Sequence, residues 1–300
     1  MRAAVLHEVG RPLAVEEVAE PSGPTLEMRA AGLNFADVLM RRGDYPQMPE
    51  LPFVPGSEAA GELDGRRVVA FVRSGGGGYA ERVAVDPEWV FELPEHATFP
   101  EGAAFLLTYL TAWIPLTRQA RVRGGQTVLV HAAAGGVGSA AIQVARHLGA
   151  RVVATAGSPE KQQVALDLGA EEAYGYDEFA SAIKVDHVLD PVGGAVFADS
   201  LKVLNPLGSI VAIGFAAGPW GDVSPQFLVG RNVSVHGFYL GRLTALRPQI
   251  VREAIAELFD LWHGGAFKPL VGAELPLDRV DEALDLLESR RSVGKVVLVP

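Results

Sequence analysis

Ala133-Ala134-Gly135-Gly136-Val137-Gly138 is a run of small residues between the apolar stretch Thr127–Val130 and a helical pattern. Glycine lets a chain turn sharply and lets another group come close to its backbone. A helix that opens on such a turn presents free N–H groups at its positive end, which suits an anion. The six residues keep the G-x-G-x-x-G spacing of a dinucleotide-binding turn, with Ala133 in the first place. The chemistry implied is capture of a pyrophosphate. The motif alone is weak, and a strand before it and a helix after it give it weight.

The next strand bears on which dinucleotide is held. An NAD site places Asp or Glu at its end, against the ribose 2′-hydroxyl. Here the strand ends Ala154-Thr155-Ala156-Gly157-Ser158, without a carboxylate. Ser158 before Pro159 is a good N-cap pattern. Lys161 falls in the first helical turn, where the helix dipole disfavours a cation. A 2′-phosphate would supply the counter-charge, so the expected cofactor is NADPH. The alternatives are that Ser158 is a plain cap, a role compatible with the first, and that Lys161 is a surface lysine. Tyr176 could cover the adenine ribose or simply pack. Asp190 ends a further strand, and either serves the ligand or caps the next segment. Gly214 closes an apolar strand where bare backbone can lie against a nicotinamide ring.

These residues need a scaffold, and the patterning supplies one. Residues 1–20 read as two short strands, Ala3–His7 and Ala14–Val18, and Thr25–Ala31 as a third. A short helix is expected from Leu33 to Arg42, closed by Gly43, then a proline-rich loop from Tyr45 to Gly56. Strands follow at Ser57–Glu62, Arg67–Val72 and Ala80–Val85, joined by turns at Asp64-Gly65 and Gly75–Gly78. Ala103–Leu116 has the length of a buried helix. From Thr127 the pattern alternates. Strands are expected at Thr127–Val130, Arg151–Ala156, Ala173-Tyr174, Val185–Leu189, Ser209–Gly214 and Asn232–Phe238. Helices are expected at Val137–Leu148, Pro159–Leu168 and Val196–Val203. Such alternation means a parallel sheet with helices on both faces, the doubly wound Rossmann arrangement. Amphipathic helices at Arg252–His263 and Leu277–Arg290 and a strand at Lys295–Val299 complete the α/β chain.

Composition excludes several chemistries. There is no cysteine, which rules out disulfides, thiolate zinc sites, iron–sulfur clusters and cysteine nucleophiles. A net charge of −10 disfavours a nucleic-acid face. The N-terminus reads as a strand, and no run is apolar enough for a membrane span, so a cytoplasmic protein is expected. Five lysines stand against twenty-one arginines, with three asparagines. That bias fits a thermophile's avoidance of labile residues and fits a GC-rich genome equally well.

Taken together, the motifs resemble the medium-chain dehydrogenase/reductase superfamily, in its zinc-independent quinone oxidoreductase (zeta-crystallin-like) branch. The resemblance spans nearly the whole chain. It is carried by Gly32-Leu-Asn34-Phe-Ala-Asp37, Pro52–Gly61, Ala132–Gly138, Gly157–Lys161 and Gly294-Lys-Val-Val. It implies a mostly β, GroES-like catalytic domain (1–112 plus 239–300) interrupted by a Rossmann NADP-binding domain (113–238). It also implies a homodimer paired near Val233–Phe238. Asn34 and Tyr45 match residues that line the nicotinamide–substrate cleft. Ser158, Lys161 and Tyr176 match the group that holds the 2′-phosphate and ribose. Arg290 matches an arginine near the cofactor, and Phe238 is counted with the cofactor-lining residues. Where zinc-dependent relatives carry a histidine after Pro55-Gly56, this chain has Ser57. Two departures stand out: Leu39 replaces a tyrosine found in some members, and the Gly61–Gly65 segment is short.

The expected reaction is hydride transfer from NADPH to a quinone or a similar flat, electron-poor acceptor. The cofactor carries the hard step and the protein orients both partners. A quinone needs no dedicated proton donor, whereas an enone or enoyl thioester would make Tyr45 matter more. His7, His131 and His187 fall in or beside strands and are poor candidates for acid–base work. A non-catalytic NADPH-binding protein, of lens or RNA-binding type, is the alternative of another class. If the chemistry is metal-free, dialysis against a chelator leaves NADPH-oxidising activity intact; loss of activity, restored by zinc, would reverse that reading.

Overall fold

Short strands and turn residues build the first third of the chain. They run β1 (Arg2–Val5), β2 (Ala14–Glu17), β3 (Thr25–Gly32), α1 (Phe35–Arg42), β4 (Glu58–Leu63) and β5 (Arg66–Phe71). β6 (Arg82–Ala84), β7 (Val90–Glu92) and α2 (Phe99–Ile114) follow. The structure is a computed structural model that describes residues 1–72 and 76–300. Of the turn expected at Gly75–Gly78, Gly75 lies outside the described residues. Asp64 and Gly65 both take positive φ, 51° and 74°, which turns β4 into β5 with two residues. The short Gly61–Gly65 segment is therefore a tight hairpin. Gly43, at φ 81°, ends α1 in the left-handed conformation.

The middle of the chain alternates regularly. Its first half runs β8 (Thr127–Val130), α3 (Gly136–His147), β9 (Arg151–Thr155), α4 (Pro159–Asp167), β10 (Glu172–Tyr174) and α5 (Phe179–Ala182). Next come β11 (Val185–Asp190), α6 (Gly194–Val203), β12 (Leu204–Ala212), α7 (Pro225–Arg231) and β13 (Ser234–Gly237). α8 (Leu240–Leu246) and α9 (Pro248–His263) close this part. The strands lie in the order β10-β9-β8-β11-β12-β13, every pair parallel. That is the doubly wound order, whose switch point lies between β8 and β11. Leu129, Val153, Val188, Ile210, Phe179 and Phe197 fill one of its cores.

The chain then returns to the first unit with β14 (Val271–Pro276), α10 (Val280–Glu288) and β15 (Lys295–Val299). The sheet there has the order β14-β15-β3-β4-β5-β7, with β6 also on β3. Its pairings are antiparallel except β14 with β15. Leu26, Leu33, Met40, Tyr79 and Leu298 belong to its core. α10 is tied to α1 by charge: Arg41 meets Asp281, Asp285 and Glu288, and Arg42 meets Glu288.

The units divide at other places than expected. The first comprises 1–107 and 268–300, the second 108–267. Residues 239–267, expected with the first unit, belong with the second. The reason is the apolar face of α9: Val251, Ala254, Ile255, Leu258 and Trp262 are buried. In addition, the Trp113 indole N–H donates to Glu257 at 2.7 Å. The Leu240–Leu246 segment that precedes α9 is itself helical. β14 escapes the sequence pattern because Gly272 and Pro276 break its alternation.

Candidate functional site

The glycine turn is tighter than its composition suggests. Ala132 takes φ 49°, so the strained residue stands one place before the motif. Ala133 is tolerated in the first glycine position because it does not carry that positive φ; its N–H donates to the Thr155 carbonyl at 3.1 Å. Gly135 caps α3, which begins at Gly136. A Cβ on Gly138 would fall 2.2 Å from the Ala132 carbonyl oxygen and 2.7 Å from the Ala133 Cα. No side chain fits there. Helix and strand meet backbone to backbone, and the N–H groups of Gly136, Val137 and Gly138 open the helix at its positive end.

Beneath the turn lies His131, fully buried. Its Nε2 is 2.7 Å from the Ser200 hydroxyl and its Nδ1 2.7 Å from the Thr155 hydroxyl. Ser200 donates its own proton to the Val196 carbonyl. Nε2–H is therefore the donor to Ser200, and Nδ1 accepts from Thr155. Burial pushes the imidazole pKa down to about 3, so the ring is neutral. It ties the ends of β8 and β9 to α6. His187 is likewise buried, between Ser209 and Gln126. Both histidines serve packing, as their strand positions suggested.

Ser158 and Tyr176, distant in sequence, line one pocket with Gly157, Gln162, Asp177 and Glu178. Ser158 is the N-cap of α4, its hydroxyl accepting from the Lys161 N–H at 3.4 Å. Lys161 stands half-buried in that first turn, and burial lowers its pKa. Glu160 shares the turn and already complements the dipole, so the helix end does not depend on an anion to balance Lys161. Glu178 accepts the Gly175 N–H at 2.7 Å. Asp190 caps its own turn: Oδ1 accepts from Val192 at 2.7 Å and Gly193 at 3.0 Å. Gly214 stands close against Pro191, where a Cβ would come 2.9 Å from its carbonyl. Phe238 is half-buried after β13, its N–H on the Ala212 carbonyl at 2.9 Å. Gly214 and Phe238 thus sit at the carboxyl ends of neighbouring strands, where this fold takes ligands.

In the first unit, Asn34 caps α1 and is half-buried, as is Tyr45, which packs against the core. Arg290 is exposed at φ 57° just past α10. Behind Asn34 lies a set of buried polar groups. Lys295 is 2.6 Å from Glu58 and 2.6 Å from the Asn34 side-chain amide oxygen. The other Glu58 oxygen accepts the Leu107 N–H at 2.9 Å. Asp37 accepts from the Asn34 N–H at 2.7 Å and the Tyr79 hydroxyl at 2.6 Å.

Residues 21–95 match the family model of the alcohol dehydrogenase GroES-like domain, and 136–260 that of the zinc-binding dehydrogenase. Quinone oxidoreductase-like protein 2 of Rattus norvegicus is 35% identical, over 99% of this chain and 91% of its own length. The quinone oxidoreductase of Thermus thermophilus, solved alone and with NADPH, is 41% identical with a TM-score of 0.93, and all of both chains is covered. The chain belongs to the quinone oxidoreductase branch of the medium-chain dehydrogenase/reductase family. The Escherichia coli quinone oxidoreductase, solved with NADPH, is 30% identical, with a TM-score of 0.89 and full coverage of both chains.

For this quinone oxidoreductase relative, then, the two units are the GroES-like and Rossmann parts of the family fold. Among the described residues no three His, Asp or Glu side chains come together as a set that could hold a metal ion. Asp37, Glu58 and Lys295 stand within the sequence motifs, but their spacing alone gave them no role. A signal existed. Lys295 opens the strand Lys-Val-Val-Leu-Val, and a charge in so apolar a run must find a partner.

Burial raises the Asp37 pKa to about 6, against roughly 3.9 in an unfolded chain. The folded state therefore holds this proton more tightly. Its stabilising effect is full below about pH 4 and is lost as the pH rises towards 6, about 3 kcal/mol in all. The stability of wild type relative to Asp37→Asn should fall across that window in urea unfolding. A difference that stays constant with pH would mean Asp37 does not carry the proton.

Proposed function

We propose that this protein is an NADPH-dependent reductase that delivers hydride to a quinone or a similar electron-poor acceptor. The observation that carries the cofactor is the end of β9. No carboxylate stands on that strand end, and Ser158, with Tyr176 across the same pocket, begins the helix turn that bears Lys161. The fit is supported by the start of α3, where Gly135 is the N-cap and the first N–H groups stand at the positive end of the helix, a place suited to a pyrophosphate. NADPH-bound structures of two relatives point the same way.

When bound, NADPH supplies the hydride. The chain's own part is to hold and orient. The N–H groups at the start of α3 receive the pyrophosphate, and Lys161 and Ser158 the 2′-phosphate. Tyr176 covers the adenosine, and Gly214 and Phe238 leave a backbone-lined place for the nicotinamide. Asn34 and Tyr45 are the residues proposed to face the acceptor, and Arg290 to reach the cofactor. A quinone that has accepted hydride is left as a stable oxyanion and takes its one proton from water, so no buried acid is required.

The edge strand β13 leaves one side unpaired within the sheet, and Leu207 and Val229 nearby are 88% and 76% exposed. Those features support a homodimer across this edge. Leu207→Glu with Val229→Glu should then convert a dimer to monomer in light scattering; an unchanged mass would place the contact elsewhere.

NADPH should bind at least tenfold tighter than NADH, about 1.4 kcal/mol. Lys161→Ala should remove most of that preference and leave NADH binding nearly unchanged. Equal affinities in wild type would defeat the 2′-phosphate reading. A panel of quinones, enones and enoyl thioesters, followed by NADPH oxidation, identifies the acceptor. Turnover of enoyl thioesters alone would favour a carbon-protonating reductase, and no turnover at all a binding protein.

A further inference from the structure

The Lys295–Glu58 pair is desolvated on both sides, its side chains 4% and 0% exposed. Burying two charges costs more than their attraction returns unless every remaining donor and acceptor is placed. Glu58 is placed: Oε1 meets Lys295 at 2.6 Å, and Oε2 takes the Leu107 N–H at 2.9 Å. Lys295 spends a second donor on the Asn34 side-chain oxygen, at 2.6 Å. That contact is the outlet of the pair, because Asn34 is half-buried where the other two are closed off.

Lysine only donates. Its ammonium therefore fixes which end of the Asn34 amide is oxygen and which is nitrogen. The nitrogen end is held loosely, 3.3 Å from the Gly32 carbonyl and 3.3 Å from Glu58. A Cβ on Gly32 would strike the Ala103 carbonyl oxygen at 2.1 Å and also crowd Glu58, at 2.7 Å, and Lys295, at 2.9 Å, so position 32 must stay bare. From this geometry we infer that Lys295 is a positioning residue. With Glu58 as its buried counter-ion, it holds the Asn34 amide in one orientation, with the NH2 end turned away from the ammonium and its two hydrogens on long 3.3 Å contacts for which an acceptor oxygen can compete. This rests on the proposal that Asn34 faces the acceptor, where a hydrogen-bond donor would meet the oxygen that gains charge on reduction.

The test is a mutant cycle with an independent structural readout. Lys295→Met combined with Glu58→Gln removes both charges and leaves no lone buried ion. It should fold and bind NADPH within threefold of wild type, while kcat falls tenfold or more. Asn34→Ala should lose a similar factor, and the triple variant should be no slower than Asn34→Ala alone. Wild-type kcat in the neutral variant, or losses that multiply, would overturn the inference. Lys295→Arg serves if the neutral variant fails to fold. It keeps the charge but alters donor geometry, and should slow the wild-type background threefold or more without slowing Asn34→Ala further. Equal slowing in both backgrounds would count against a route through Asn34.

The chain has only three asparagines, Asn34, Asn205 and Asn232. Asparagine-selective 15N labelling therefore shows three side-chain NH2 pairs, and Asn34→Ala assigns one. Lys295→Arg should move that pair and leave the others; an unmoved pair would show that Lys295 does not orient it. This readout needs no turnover. An orienting lysine in a protein that reduces no acceptor would defeat the functional reading and keep the geometry.

Discussion

Helix α3 can rest on strand β8 because residue 138 has no side chain. The Ala132 carbonyl occupies the space a Cβ would need, 2.2 Å from where it would fall. That close approach has wide consequences. It sets the start of α3 at the strand end, turns the helix's free N–H groups to one place, and puts the burden of positive φ on Ala132. The neighbouring strands are then registered by buried polar contacts instead of apolar ones alone. His131 joins Thr155 to Ser200, and Ala133 hydrogen-bonds back to Thr155. A neutral, fully satisfied imidazole does this without placing a charge beneath the glycine turn.

The first unit solves a different problem. Its sheet is assembled from distant parts of the chain, β3 to β5 from the beginning and β15 from the end. Two charged connections accompany the join. One is outward, between Arg41 and Arg42 of α1 and the acids of α10, partly exposed and of modest worth. The other is inward, between Lys295 of β15 and Glu58 of β4, and fully buried. A buried pair of this kind adds little net stability over an apolar filling. What it adds is direction: three donor and acceptor positions meet at Asn34, the residue where that interior reaches solvent.

Much of this was legible in the chain. Thr127–Val130 and Lys295–Val299 are strands with the boundaries their patterns indicate, and the G-x-G-x-x-G spacing located the turn. Gly43, Gly149 and Gly169 mark helix ends, each in the left-handed conformation. What escaped was either short or broken. β7 has three residues and α5 four, too few to show a period. β14 carries a glycine and a proline. α9 is legible as an amphipathic helix, but an apolar face does not say which unit it will cover.

The sequence by itself determined the class of the fold, the place of the glycine turn and the missing thiolate chemistry, because periodicity, glycine spacing and residue identity are local. It also named Asn34 and Ser158 as residues of interest. Only the tertiary structure decided what stands behind them. Lys295 is 261 positions from Asn34, Glu58 24, and no local pattern can pair them. The same holds for His131 and Ser200, 69 residues apart. A buried charge or imidazole needs partners, and the sequence states that need. Which partner answers it is fixed only when strands from the two ends of the chain lie side by side.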